Sequence, residues 1–516
     1  MHTAPAPVPP PSGDDARYLA LKARDARFDG RFFTGVTSTG IYCRPVCRVR
    51  TPKRENCRFF TLAAQAELAG FRPCLRCRPE LAPGAASMAA ATVPWSVQDA
   101  SAILARQAAS LLDTPDSWHE GTPSIAALAA RLGVSARHVR RIFEAQWGVS
   151  PLQYLQTRRL LTAKQLLTDT PLPITQVAAL SGYASVRRFN AAFAEHYRLQ
   201  PRQLRQASPP PGDAGAIVLK AAYRPPYDVA AMLDFFATRQ IDGLEAVDPV
   251  QQTLTRTLAL DVAGQAVQGW VQARFEPASC TVVLRISASL AGVLPLVLAR
   301  LRALLDLDAD PWAINAVLEP DFPGTAGLRV PGSLDGFELG VRAILGQQIT
   351  VRAARTLGAR LVARYGTTLA DAPAPVTRLF PTPQALCAAS GEDLGRLGIV
   401  RQRQRAIQAL AQAVADGQLA LHPGADVPAT LAALQALPGV GPWTAHYIAM
   451  RALRWPDAFP AGDVALHKAL GVHDAPKPQQ AAEQASERWR PWRSYAVVRA
   501  WARLAAPPPT DQAPSG

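Results

Sequence analysis

Four cysteines in two short pairs are the residues of this sequence best placed to do chemistry. Cys43 and Cys47 are separated by three residues, Cys74 and Cys77 by two, and a connection of under thirty residues divides the pairs. Each pair can occupy one edge of a tetrahedron, so the pattern predicts a single Zn2+ held by four thiolates. Seven cysteines in 516 residues are too few for a disulfide framework. Cys57 lies between the pairs and reads as a small packed thiol outside the site. Four-thiolate zinc is most often a structural staple, and spacing alone leaves that reading open.

The flanks add to it. The segments FFTGVTSTGIYCRPVCRVR (32–50), ENCRFF (55–60) and GFRPCLRCRP (70–79) closely resemble the N-terminal domain of the Ada family. The resemblance implies that one zinc-bound cysteine takes a methyl group from a methylphosphotriester of the DNA backbone. By motif position the acceptor is Cys43, with Cys47, Cys74 and Cys77 completing the zinc shell. Zinc keeps a thiolate deprotonated at neutral pH, and a sulfur surrounded by other thiolates stays electron-rich enough to attack a methyl carbon. Arg44 and Arg48, with Arg50, Lys53, Arg54, Arg72, Arg76 and Arg78, surround the site in sequence and are expected to grip neighbouring phosphates.

A second chemical centre is expected around Asp463. Alone, an aspartate there would read as a surface carboxylate or a helix cap. However, LPGVGPWTAHYIA (437–449) carries an apolar-Pro-Gly-apolar-Gly pattern, in which Gly439 and Gly441 let a hairpin approach a DNA phosphate and the next helix offers free N–H groups. FPAGDVALHKAL (459–470) follows and supplies Asp463. Together they resemble the helix-hairpin-helix DNA glycosylase superfamily. YRPPYDVAAMLDFF (223–236), RVPGSLDGFELGVRAILGQQIT (329–350) and RPWRSYAVVRAW (490–501) extend the match, in order, to the AlkA-type 3-methyladenine glycosylases.

That resemblance implies hydrolytic excision of alkylated purines. The Asp463 carboxylate faces the sugar of an everted nucleotide, where it stabilises an oxocarbenium-like transition state and helps water attack. Trp443, Tyr447 and Trp501 fall on the family's base-pocket positions, with Tyr223 and Tyr227 as further candidates. Gln348 stands where the family can place an intercalating leucine, followed by Ile349. Lyase relatives carry lysine where this chain has Trp443, so no covalent imine is expected. The Pro-Cys-His-Arg motif of an O6-alkylguanine methyltransferase domain is absent, and Cys280 and Cys387 read as ordinary core thiols.

These groups need elements to position them. Pro- and Gly-rich stretches divide the chain, which predicts a zinc domain (1–90), a DNA-reading domain (91–207), a linker (208–216), a glycosylase N-terminal subdomain (217–325), the helix-hairpin-helix domain (326–505) and a disordered tail (506–516). In PSIAALAARLGVSARHVRRIF (123–143), Gly133 allows a tight turn and Ser135 can cap the next helix. PITQVAALSGYASVRRFNAAF (173–193) repeats the grammar with Gly182 and Ser185. The tandem resembles an AraC-type DNA-binding domain, with Arg137, Arg140 and Arg141 on one helix and Arg187, Arg188 and Asn190 on the other as groove and phosphate contacts.

Strand-like runs at 254–260, 269–275 and 281–287, with a helix near 229–238, predict an α+β piece, and helical spacing dominates beyond Pro295. The expected fold class is therefore multidomain and mainly α: a small zinc-bound α+β domain, a tandem helix-turn-helix all-α domain, an α+β subdomain and an all-α glycosylase domain.

Composition fits this division. With 48% hydrophobic and 18% charged residues the chain can build several cores, and a net charge of +15 points to a polyanionic partner. The expected partners are damaged and promoter double-stranded DNA and, for activation, RNA polymerase. The expected state is a monomer in the cytoplasm, associated with the nucleoid. A transcription factor whose glycosylase half is only a DNA clamp is the competing reading.

Overall fold

The structure is a computed structural model that describes residues 13–84, 97–115, 123–205, 215–262 and 264–505. The expected tail, most of the expected linker and the ends of the expected zinc domain lie outside the described residues. The last linker residue, Ala216, already begins a strand.

The N-terminal unit is built on a four-stranded sheet of β1 (Phe33–Val36), β2 (Ile41–Cys43), β3 (Cys57–Phe60) and β4 (Arg72–Pro73), in the order β3-β1-β2-β4. The pairing of β2 with β4 is parallel, Ile41 opposite Arg72 and Tyr42 opposite Pro73. This register sets the ends of β2 and β4 side by side, which brings the two cysteine pairs together across the long connection between them.

Two helix-turn-helix units follow. In the first, Ile125–Arg131 leads through Gly133 (φ +66°) to Ala136–Trp147. In the second, Ile174–Leu180 leads through Gly182 (φ +80°) to Val186–Tyr197. Both turns need left-handed backbone, which glycine adopts at no Cβ penalty. Ser135 and Ser185 accept from the amides of His138 and Arg188, so each second helix is capped as its sequence predicts. The long helix Pro151–Asp169 joins the units.

The third unit has a five-stranded antiparallel sheet: β5 (Ala216–Ala222), β6 (Glu245–Asp248), β7 (Thr253–Val262), β8 (Gln265–Glu276) and β9 (Thr281–Ser287), in the order β5-β9-β8-β7-β6. Helix Val229–Arg239 packs on it through Met232, Leu233 and Phe236. From Leu294 to Ala505 the regular elements are helices joined by loops, with one isolated bridge between Thr368 and Arg378.

The units share cores rather than hanging as beads. One apolar cluster runs from Phe189 and Phe193 of the second helix-turn-helix unit into Leu219, Leu284 and Ile286 of the five-stranded sheet. Another joins Leu62 and Ala64 of the N-terminal unit to Val139 and Phe143 of the first helix-turn-helix unit. Buried polar contacts complete the docking: Arg31 pairs with Asp310, and Arg224 donates to the carbonyls of Asp29 at 2.8 Å and Gly84 at 3.0 Å.

Candidate functional site

At the zinc centre, Cys43 ends β2 and Cys74 follows β4, with the Cys74 amide donating to the Tyr42 carbonyl at 2.9 Å. A tight turn, Cys47 N–H to Arg44 C=O, folds the first pair back on itself. The four sulfurs of Cys43, Cys47, Cys74 and Cys77 lie within 4.8 Å of one another, and the first three residues are buried. Zn–S bonds of about 2.3 Å in a tetrahedron place sulfurs about 3.8 Å apart, so the quartet fits one Zn2+ after a small contraction. Cys57 lies outside the quartet; its thiol donates to the Lys53 carbonyl at 3.3 Å.

The arginines around this centre divide into two groups. Arg48 is exposed, as are Arg50 and Arg76. Arg44 departs from the expectation of a phosphate contact. Its guanidinium is buried, paired with Asp29, and donates to the Cys77 carbonyl at 3.0 Å, while its backbone amide donates to Cys77 Sγ at 3.3 Å. It is a strut beneath the cysteines, its guanidinium turned inward to these partners. Arg78 is likewise engaged, with Glu80 at 2.9 Å and with Asp169 of the long helix at 2.7 Å.

On the readers, Arg137, Arg140, Arg141, Arg187 and Arg188 are exposed and Asn190 is half-buried. Arg141 Nη2 lies 3.0 Å from His138 Nδ1. The apolar positions between them, Val139, Phe143, Phe189 and Phe193, are buried, so each helix turns its basic face away from the core.

The third centre gathers Asp463, Trp443, Tyr447 and Trp501. Asp463 caps the short helix Val464–Ala469 and accepts the Leu466 amide at 2.7 Å. The same carboxylate accepts the indole N–H of Trp443 at 2.9 Å and of Trp501 at 3.3 Å. Three N–H donors thus fix the carboxylate, half-buried between two indoles. Trp443 and Tyr447, four residues apart on helix Pro442–Arg451, are stacked with centroids 5.4 Å apart at 14°, and Trp501 stands 6.4 Å from Tyr447 at 45°.

Tyr223 and Tyr227 do not join this set. They pack on each other and on Phe275, and the Tyr227 hydroxyl donates to the Leu305 carbonyl.

The hairpin leading into that helix turns at Gly439 (φ +76°), and Gly441 precedes Pro442 as the N-cap. Gln347, which sequence reasoning missed, locks the turn: its amide donates to the Gly439 carbonyl and to Thr444 Oγ1, both at 3.0 Å. Its neighbour Gln348 is exposed and held in left-handed backbone (φ +55°), while Ile349 is half-buried. Also unforeseen is Arg451, whose guanidinium reaches the Tyr447 hydroxyl at 2.6 Å and lies 4.7 Å from the Phe235 ring centroid. No signal in the sequence marks it, because an arginine at a helix end normally reads as a surface cation.

Comparison with known proteins covers the same ground. Four family models match: the metal binding domain of Ada over residues 16–80, a helix-turn-helix domain over 128–207, the AlkA N-terminal domain over 218–335, and the HhH-GPD superfamily of base excision DNA repair proteins over 341–494. A Mycobacterium tuberculosis protein described as a probable bifunctional transcriptional activator/DNA repair enzyme AlkA is 37% identical over 95% of this chain and 96% of its own length. The Escherichia coli DNA-3-methyladenine glycosylase 2 is 37% identical over 54% of this chain and 95% of its own. The Escherichia coli bifunctional activator and repair enzyme Ada is 35% identical over 30% of this chain and 38% of its own. With the metal-binding, DNA-reading and glycosylase units in one polypeptide, this chain belongs to the family of bifunctional transcriptional activator/DNA repair enzymes that join an Ada-type domain to an AlkA-type glycosylase.

Proposed function

We propose that the protein repairs alkylated DNA and regulates the response to it. The C-terminal half excises alkylated purines of the 3-methyladenine type by hydrolysis, and the N-terminal half takes a methyl group from a methylphosphotriester onto Cys43 and binds promoter DNA. The observation that carries the excision reading is the single carboxylate of Asp463 held by two indole N–H groups at an aromatic cluster. That arrangement offers negative charge for a sugar cation and flat faces for an extruded, electron-poor base. A DNA clamp would have no use for an anion there.

Zn2+ held by Cys43, Cys47, Cys74 and Cys77 supplies a deprotonated sulfur nucleophile at neutral pH. Gly439, Gly441 and Gln348 approach the damaged duplex. Arg137, Arg140, Arg141, Arg187, Arg188 and Asn190 contact promoter DNA, with Arg48 beside the zinc centre. Two readers in one chain let a monomer engage two groove segments, and activation calls for RNA polymerase as a further partner, on the nucleoid in the cytoplasm. Among the described residues no helix is long and apolar enough to cross a membrane.

One incubation of the full-length protein with methylated duplex DNA tests both activities. Free alkylpurine is expected in solution and one added methyl on the Cys43 peptide by mass spectrometry. Asp463→Asn should lower base release by a factor on the order of a hundred to a thousand while leaving Cys43 methylation intact. Full base release by that variant, or a methyl on Cys74 or Cys77, overturns the corresponding assignment.

A further inference from the structure

Arg451 closes the helix that carries Trp443 and Tyr447, and it is only 7% exposed. Its Nε donates to the Pro331 carbonyl at 2.8 Å, Nη2 to the Gly332 carbonyl at 3.0 Å, and Nη1 to the Tyr447 hydroxyl at 2.6 Å. Every nitrogen is satisfied in geometry, yet among the described residues no carboxylate accepts from it. The cations behind it do not help. Arg342 is neutralised with Arg256 by Glu245 and Glu338, while Arg239 lies against the Phe235 ring at 3.8 Å. A guanidinium stays protonated in a protein, so a buried positive charge stands behind the Tyr447 ring, uncancelled by an ion pair. Asp463, the opposite charge, is bonded to the other two rings of the cluster.

We infer that Arg451 is a positioning residue of the excision reaction, acting through the Tyr447 hydroxyl so that its charge draws electron density into the departing base. The inference rests on the reading of Trp443, Tyr447 and Trp501 as the base pocket. When the C1′–N bond of a cationic alkylpurine breaks, the bonding pair leaves with the ring nitrogen. The base becomes neutral, and the positive charge passes to the sugar beside Asp463. Water then bonds to C1′ and releases its proton to solvent by way of the carboxylate.

A cation behind the base and an anion beside the sugar both favour that movement of charge. The same cation repels the positively charged base before the bond breaks, so it acts on the transition state at the expense of the bound substrate. The state of Tyr447 fits this field. Burial pushes its phenol up, but the charge of Arg451, that of Arg239 and the Arg451 hydrogen bond outweigh burial and hold it below the usual tyrosine value.

The test uses full-length, zinc-loaded protein and a duplex bearing one 7-methylguanine, a cationic base, under single-turnover conditions. In Arg451→Met the saturating rate should fall on the order of tenfold, as expected for a unit charge acting across a partly screened interior. The half-saturating protein concentration should stay level or fall, because ground-state repulsion is gone. Arg451→Lys, which keeps the charge, should recover most of the rate. Tyr447→Phe keeps the ring and cuts the link, and should also lower the rate without weakening binding.

A wild-type rate in Arg451→Met, a loss confined to weaker binding, or failure of Arg451→Lys to recover rate in a folded protein overturns the inference. If Arg451→Met does not fold, a wild-type rate in Tyr447→Phe overturns it, and a slowed rate with intact binding sustains it. Asp463→Asn separates the two levels: if it excises normally the base-excision reading itself falls, whereas inactivity there with wild-type Arg451 variants removes this inference alone.

Discussion

A buried arginine and an exposed one have the same letter in a sequence and opposite work in the fold, and Arg44 and Arg48 make the contrast four residues apart. Arg44 is paired with buried Asp29 and braces the carbonyl of Cys77, so its removal leaves an uncompensated carboxylate beneath the metal centre. Arg44→Met should destabilise the zinc unit by about 3 to 5 kcal/mol, the usual cost of breaking a buried pair, and hasten zinc release to a chelator. Arg48→Met should leave the melt unchanged and lower the slope of log affinity against log salt by about one. A colorimetric zinc-release assay beside DNA binding at several salt concentrations checks both; equal zinc retention in the two variants would show that Arg44 is no strut. The sequence displays the charge of Arg44 but not Asp29, fifteen residues upstream, which claims it. Arg451 is the same case, since besides Tyr447 on its own helix its partners are carbonyls more than a hundred residues away.

Elements were the most legible level, because their signals are local. Ser135 and Ser185 cap the helices that the sequence gives them, Gly133 and Gly182 turn where the apolar pattern breaks, and β7, β8 and β9 cover the three strand-like runs. The strands β5 and β6 escaped notice for a physical reason. β6 has only four residues, and β5, although as long as β9, takes its place in the sheet from pairing with that distant strand. The hairpin motif was visible as two glycines, but the structure assigns them different duties. Gly439 lies at φ +76° with a neighbouring Cβ, that of Ala406, 3.2 Å from where its own would stand, whereas Gly441 lies in ordinary extended backbone with open space around it. Gly439→Ala should therefore strain the turn by about 1 to 2 kcal/mol and loosen the Gln347 lock. Gly441→Ala should leave stability unchanged and reveal its cost only when DNA closes on the hairpin. Thermal melts of the two variants with and without duplex DNA separate these effects, and equal melts in the absence of DNA would refute the division.

At the scale of the molecule, the linkers read from Pro and Gly content do not mark where cores end. The second reader shares a core with the five-stranded sheet, and the zinc unit shares one with the first reader, because helix Pro151–Asp169 touches both sides. The contacts that decide this are between residues far apart in the chain, so no local pattern announces them. Glu67 of the zinc unit is the most telling. Its carboxylate accepts from Tyr42, which precedes Cys43, at 3.0 Å, and from Thr157 of the long helix at 2.7 Å, and His196 Nδ1 stands 3.9 Å away.

Burial raises its pKa from the ordinary carboxylate value to about 7, the two hydroxyl donors only partly offsetting that rise. The folded protein thus holds this proton more tightly than the unfolded chain does. The Glu67 contribution to docking is fully present below about pH 4.5, falls as pH rises toward 7, and is flat beyond, a loss of about 3 kcal/mol at most. Glu67→Gln removes the titration while preserving shape, and the hydroxyls of Tyr42 and Thr157 can each turn to accept from the amide. Hydrogen exchange at the β2 amides and at helix Pro151–Asp169 is the measurement, since it reads local opening between the two units. The variant should match the wild type near pH 5 and be better protected near pH 8. Parallel pH profiles for the two proteins would mean that the Glu67 carboxylate is not the group that couples the metal centre to the reader.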